Sequence, residues 1–159
     1  WAHVTYFFNG LCECIFPNEK RIHIPSRKVA AYDKTPEMKV REITNQLLKN
    51  KEAYDFFVVN LANADMVGHS GNISACKKAI ESVDAEIGRI VRQFKGIVFI
   101  TADHGNCEEM QGKYVTSHTT NDVPLIVVNA EGKLKEGGLA DVAPTILKVM
   151  GIMKPIAIG

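Results

Sequence analysis

The sequence predicts an α/β fold with a mostly parallel central sheet covered by helices on both faces. Three observations carry this. Ile97-Val98-Phe99-Ile100-Thr101 is a β-branched and aromatic run that stops abruptly at Asp103-His104-Gly105. Phe56-Phe57-Val58-Val59-Asn60-Leu61 is a second run, apolar on both faces, as a strand between two helical layers must be. Between them lies a long stretch of helical period, and the order strand, helix, strand is the sequence form of a right-handed crossover between parallel strands.

Along the chain, Ala2-His3-Val4-Thr5-Tyr6-Phe7-Phe8 reads as a strand ending at Asn9-Gly10, with His3 a structural histidine among apolar neighbours. Residues 11–34 are irregular, and Arg21-Ile22-His23-Ile24-Pro25 suits a short edge strand with His23 facing solvent. From Thr35 the pattern turns helical: Thr35 as N-cap, Pro36 at the first position, Glu37 in the first turn, then Val40, Ile43, Leu47 and Leu48 along one face. After the 56–61 strand, Ala62 to Asn72 reads as a loop, because Gly68 and Gly71 oppose helix there. A long helix follows, with Ile73, Ala79, Ile80, Val83, Ile87, Ile90, Val91 and Phe94 as its apolar positions. Beyond Gly105 the polar stretch from Asn106 to Asp122 reads as a loop, Pro124 to Val128 as a strand, and Glu131 to Gly138 as a surface turn. A final helix from Asp141 to Met150 takes Asp141 as cap, Pro144 in its first turn and Gly151 as terminator.

A chain of 159 residues with 46% hydrophobic content has the substance for one domain. Nineteen basic and eighteen acidic residues, with no long basic run, argue against nucleic acid as a partner. No apolar stretch reaches the roughly 18 to 20 residues of a membrane span, so the expectation is a cytoplasmic protein without a membrane partner. Strand-like sequence begins at once, so the expectation is that Trp1 is the first residue of a part of some longer protein. Cys12, Cys14, Cys76 and Cys107 are too scattered for a disulfide scaffold. Cys12 and Cys14 read as small packed residues, with a soft-metal pair as the alternative, and Cys107 as buried filler near the chemistry.

In an open α/β sheet, ligands bind beyond the carboxyl ends of the strands. Asp103 and His104 stand at such an end, Asp65 and His69 lie just past the 56–61 strand, and His118 just before the 123–128 strand. Singly, each has an ordinary alternative: Asp65 a turn residue, Asp103 a helix cap, His69 and His118 surface histidines. Their recurrence at strand ends instead suits divalent cations, with an aspartate and two histidines at one position and an Asp-His pair at another.

These residues carry a resemblance. Asn63-Ala64-Asp65-Met66-Val67-Gly68-His69, Thr101-Ala102-Asp103-His104-Gly105-Asn106 and Ser117-His118-Thr119-Thr120-Asn121-Asp122-Val123-Pro124, in that order, resemble the C-terminal part of the cofactor-independent phosphoglycerate mutases of the alkaline phosphatase superfamily. The flanking Ala2 to Gly10 and Tyr32-Asp33-Lys34-Thr35-Pro36-Glu37-Met38 are similar as well, so the likeness spans nearly the whole chain. The resemblance implies a three-layer, alkaline phosphatase-like sandwich, incomplete at its N-terminal side. It implies an isomerase of glycolysis and gluconeogenesis, monomeric at full length, acting on phosphoglycerate through a phosphoserine. It also implies two Mn2+ ions, with Zn2+, Co2+ or Mg2+ as substitutes: Asp65, His69 and His118 on one, Asp103 and His104 as half the cage of the other.

The departures are equally specific. The family completes its second ion with an aspartate and the nucleophilic serine from the start of the full-length chain, and neither has a counterpart here. Ser26, Ser70, Ser74, Ser82 and Ser117 all lack the nucleophile's context. The arginine-bearing substrate domain and a substrate-contacting lysine ahead of Trp1 are also missing, so residues 1–159 are expected to be one part of a phosphatase-type domain, inactive alone. Phosphopentomutases, alkaline phosphatases, sulfatases and nucleotide phosphodiesterases share the ligand pattern, and a non-catalytic metal-binding module is the rival of a different class.

Overall fold

The computed structural model describes residues 1–112 and 115–156. Lys113 and Tyr114, within the predicted 106–122 loop, lie outside the described residues. The chain divides into two compact units, Trp1–Val128 and Asn129–Gly159.

Among the described residues, three α-helices build the first unit: α1 (Val40–Asn50), α2 (Asn63–Gly68) and α3 (Ile73–Gln93). α1 keeps its predicted face, with Val40 and Thr44 buried and Ile43, Leu47 and Leu48 half-buried. Its start differs from expectation. Thr35 closes a single turn of 3-10 helix at Tyr32–Lys34, Met38 takes a left-handed φ of 43°, and helical geometry begins only after Lys39. A helix cannot run through a left-handed residue, so Pro36 and Glu37 are displaced from the first turn.

α2 is the second difference, since the stretch read as a loop is helical. Gly68 occupies its last turn with an ordinary backbone, and only Gly71, at φ 69°, needs glycine's freedom. Burial outweighs the weak propensity: Val67 is fully enclosed, and Asn63 donates from Nδ2 to the carbonyl of Pro36 at 2.9 Å. α3 has the predicted length, capped by Asn72, whose Oδ1 accepts from the Ala75 amide at 3.1 Å. Its buried face is Ala75, Cys76, Ala79, Glu86 and Ile90, whereas Ile73 and Ile80, predicted inward, are exposed. Small residues face inward because α2 lies close: Val67, Ala75, Cys76 and Ala79 form one cluster, with Tyr32, Cys107 and Met110 against it. Glu86 is buried but paired with Arg89, which also donates to Asn45 Oδ1 at 2.8 Å and so ties α3 to α1.

The sheet among the described residues has two strands, β1 (Val98–Ile100) and β2 (Ile126–Val128), paired antiparallel with Phe99 opposite Val127. The expected parallel order is not seen in it. The 56–61 stretch forms no strand among the described residues, and Phe56, Val58 and Val59 are exposed. A strand exists only through its neighbour, so an apolar run with no ladder stays merely extended. The predicted strand at 2–8 is replaced by 3-10 helix at Ala2–Val4 and successive turns, including the Phe7 amide to the Ala2 carbonyl at 3.0 Å. The 21–25 edge strand is likewise absent, and Trp1 packs on the exposed His23 ring at 4.5 Å. Cys12 and Cys14, expected as packed thiols, are joined as a disulfide, their Cα atoms 5.3 Å apart on a surface turn.

In the second unit, Gly138 donates its amide to Asp141 Oδ2 at 2.8 Å and leads through a 3-10 turn into α4 (Val142–Val149). Asp141 stands at the N-cap position of α4, but its side chain makes no cap to that helix and accepts from Gly138 instead; Pro144 lies in the first turn as predicted and Gly151, at φ 70°, follows the end.

Candidate metal centre

Asp65 lies in the first turn of α2 and His69 closes that helix, so a spacing of four puts both on one face. Asp65 Oδ1 is 3.2 Å from His69 Nε2. His118 joins them from the far side of the chain, its Nε2 3.2 Å from Asp65 Oδ1 and 3.2 Å from His69 Nε2. A cation with bonds of about 2.0–2.2 Å holds neighbouring donors roughly 2.8–3.6 Å apart, from octahedral to tetrahedral geometry. The triangle of two imidazole nitrogens and a carboxylate oxygen has that size, and its donors suit a borderline divalent ion.

The far ring atoms orient the histidines. His69 Nδ1 lies 2.9 Å from the Thr116 carbonyl and His104 Nδ1 lies 3.2 Å from the Gly105 carbonyl. As Nδ1–H groups they donate there, which leaves each Nε2 with a lone pair, the tautomer a metal ligand requires. The His104 ring stacks on His118 with centroids 3.7 Å apart and planes 19° from parallel. One donor atom each from Asp65, His104 and His118 falls within 4.8 Å of the others. Asp103 is at the margin, with Oδ1 3.7 Å from His104 Nε2 and a side chain 63% exposed. His3, read from sequence as structural, is exposed and points its Nε2 at Asp103 Oδ2 across 3.7 Å.

Local structure explains the convergence. β1 delivers Asp103 and His104 at its end, and the antiparallel course continues in the bridge between Gly105 and Thr119, with the Thr119 amide 3.0 Å from the Gly105 carbonyl. That bridge sets His118 beside His104. A side chain at Gly105 would fall 2.2 Å from both Glu108 Oε1 and Thr119 Oγ1, so glycine is needed for room rather than for a turn. Asn106, only 6% exposed, donates from Nδ2 to Asp65 Oδ1 at 2.8 Å, fixing the carboxylate against His69 and His118.

Three features escaped the sequence reading: Asn106, Glu108 and the Thr116 carbonyl. The stretch that holds them has no hydrophobic period, and their residue types are ordinary for a loop. Glu108 receives hydrogen bonds from the Asn106 amide at 2.6 Å, from Thr119 Oγ1, and from Asn121 Nδ2 at 3.1 Å. Partial desolvation acts to raise its carboxyl, and the bonds from Thr119, two backbone amides and Asn121 outweigh it, leaving it below the ordinary glutamate value. Cys107 donates to the Ala64 carbonyl at 2.9 Å. Burial, then a hydrogen bond with Cys76 and the charges of Glu108 and Asp65, push its thiol up to about 12, so it is inert packing as its sequence context suggested. Ser70 is engaged in capping, its Oγ 2.6 Å from the Val67 carbonyl.

Comparison with known proteins agrees with this chemistry. A family model described as the Metalloenzyme superfamily matches residues 1–154. A 2,3-bisphosphoglycerate-independent phosphoglycerate mutase of Acetivibrio thermocellus is 50% identical over 98% of this chain and 32% of its own length. The enzyme of that name from Clostridium kluyveri is 52% identical over 98% of this chain and 33% of its own. The chain thus spans about a third of the length of the curated relatives it matches. Among solved structures, a Leishmania mexicana phosphoglycerate mutase, studied at low cobalt concentration, superposes with a TM-score of 0.86 at 28% identity, covering 99% of this chain and 34% of that one.

Proposed function

Because the chain belongs to the Metalloenzyme superfamily, we propose that it contributes the two-metal site of a cofactor-independent phosphoglycerate mutase, interconverting 3-phosphoglycerate and 2-phosphoglycerate through a phosphoserine. Asp65, His69 and His118 hold one ion. Asp103 and His104 hold part of a second, and residues elsewhere in the longer enzyme complete that cage and supply the nucleophile. Mn2+ is the proposed ion at both positions. Held by these residues, divalent cations would supply Lewis-acid chemistry, lowering the pKa of a hydroxyl nucleophile and neutralising charge on a phosphoryl group. The chain's own part is to hold these donors in place: α2 presents Asp65 and His69, and the Gly105–Thr119 bridge brings in His118.

Residues 1–159 form one part of a phosphatase-type domain within a cytoplasmic, glycolytic, monomeric enzyme on this reading. The mostly parallel three-layer sandwich forms when strands from elsewhere in that enzyme pair with the apolar 56–61 stretch. The single observation that carries the proposal is the 3.2 Å triangle of Asp65, His69 and His118 in a chain half identical to named phosphoglycerate mutases. Calorimetric titration with Mn2+ tests it. The protein binds the ion, His118→Ala binds it far more weakly, and neither converts 3-phosphoglycerate. Unchanged affinity in His118→Ala removes that residue from the site, and turnover by these 159 residues refutes the assignment of the nucleophile to another segment.

A further inference from the structure

Three separate segments meet at the site: α2, the turn after β1, and the exposed stretch that carries His118. His118 is 48% exposed and His69 41%, so packing alone does not fix them. One carboxylate lies where the segments cross. We propose that Glu108 is a positioning residue for the metal centre, clamping the segment that carries His118 onto the turn that carries His104 and, through Asn106, onto Asp65. This rests on the metal-site reading above and extends it to a residue that touches none of the five candidate ligands.

Glu108 Oε2 accepts from the Asn106 amide at 2.6 Å, which holds the turn that follows His104. Oε1 accepts from Thr119 Oγ1 and from Asn121 Nδ2 at 3.1 Å, one and three residues beyond His118. The Asn106 side chain reaches the other way, to Asp65 Oδ1 at 2.8 Å. A single carboxylate therefore joins, in two hydrogen bonds or fewer, the neighbours of His104, His118 and Asp65. Asn106 and Thr119 are each 6% exposed while Glu108 and Asn121 lie at the surface above them, and both Glu108 and Thr119 fill the space that Gly105 leaves open. Hydrogen bonds to an ionised acceptor are the stronger kind, and three on one glutamate give a rigid knot in a loop with no helix or long strand to stiffen it. Groups hydrogen-bonded directly to a metal ligand commonly change its affinity by about 10–100-fold when removed; Glu108 acts through one such group, Asn106, so its own effect falls at the low end of that range, about 10-fold.

The test measures Mn2+ affinity by calorimetry, the absorption spectrum of the Co2+-loaded protein, and the metal-free melting temperature. Glu108→Ala is expected to weaken Mn2+ binding by about 10-fold and to shift the Co2+ band, and Glu108→Gln, which keeps one acceptor oxygen, to recover part of the loss. A merely structural role lowers the melting temperature but leaves the affinity and the Co2+ spectrum of the folded protein unchanged, and that result overturns the proposal. Should Glu108→Ala not fold, Thr119→Val decides in its place: weaker Mn2+ binding supports the clamp and unchanged binding overturns it. Absence of Mn2+ binding by the unaltered protein defeats the metal-site reading and this inference together, whereas binding that is insensitive to Glu108 defeats this one alone.

Discussion

Gly68→Ala tests the site through packing rather than through a ligand. In the last turn of a helix the change alone is favourable, with alanine preferred over glycine by up to about 1 kcal/mol. Here the new methyl lands 2.2 Å from Asn106 Oδ1 and 2.8 Å from its Cγ, distances real atoms do not share. Asn106 is 6% exposed and pinned to Asp65 at 2.8 Å, so it has little room to turn aside. Forcing a methyl into such a space costs about 1–3 kcal/mol, and losing a hydrogen bond to a carboxylate about 1.5–3 kcal/mol more. The net expectation is a destabilisation of about 2–3 kcal/mol, because Asp65 is partly solvated and the helix gain offsets some of the rest. For a chain of this size that lowers the melting temperature by roughly 5–10 °C, and scanning calorimetry reads it. A double-mutant cycle adds the mechanism: in an Asn106→Ala background the same substitution should cost nothing further, as the clashing amide is gone. An unchanged or raised melting temperature for Gly68→Ala alone would show that Asn106 does not sit against α2, and the account of how Asp65 is held would fall with it.

Other expectations follow from the same geometry. Asn72→Ala removes the cap of α3 and the contact of its Nδ2 with Asp33 Oδ2 at 3.3 Å, and should cost about 1 kcal/mol in urea denaturation; no change would place the helix start elsewhere. Cys107 should resist iodoacetamide at mildly alkaline pH in the folded protein and react promptly once unfolded, since its half-buried thiol is pushed up to about 12; rapid labelling of the folded chain contradicts that upward shift. Stability should fall as the pH drops below the ordinary glutamate value of 4.5, because the folded value of Glu108 is lowered. Its contribution is complete above 4.5 and disappears as the pH falls through the folded value, so Glu108→Gln should flatten that part of a melting-temperature profile. Glu42, lowered chiefly by its bond to Lys39, and Glu19, lowered chiefly by Arg21, keep the remainder of the slope.

Helical period is written in neighbouring residues, and the sequence by itself determined what depends on neighbours. α3 appears with nearly its expected length, α1 with its expected face but a later start, and α4 with its aspartate before it and glycine after it. The candidate ligands were legible from their places beside apolar runs, Asp103 and His104 at the end of one and Asp65 and His69 just past another, although the shared helical face of Asp65 and His69 was not, since that stretch reads as a loop. Everything that needs a distant partner was decided by the tertiary structure. A run such as Phe56 to Leu61 becomes a strand only where another backbone meets its amides and carbonyls, and among the described residues none forms a ladder with it. α2 shows the opposite case, Gly68 notwithstanding, because burying Val67 against Ala75, Cys76 and Ala79 outweighs a propensity difference of about 1 kcal/mol. Asn106 and Glu108 carry no pattern of their own. Their hydrogen bonds to Asp65, Thr119 and Asn121 span 41, 11 and 13 residues, separations at which residue type says nothing and only the folded backbone brings the groups together.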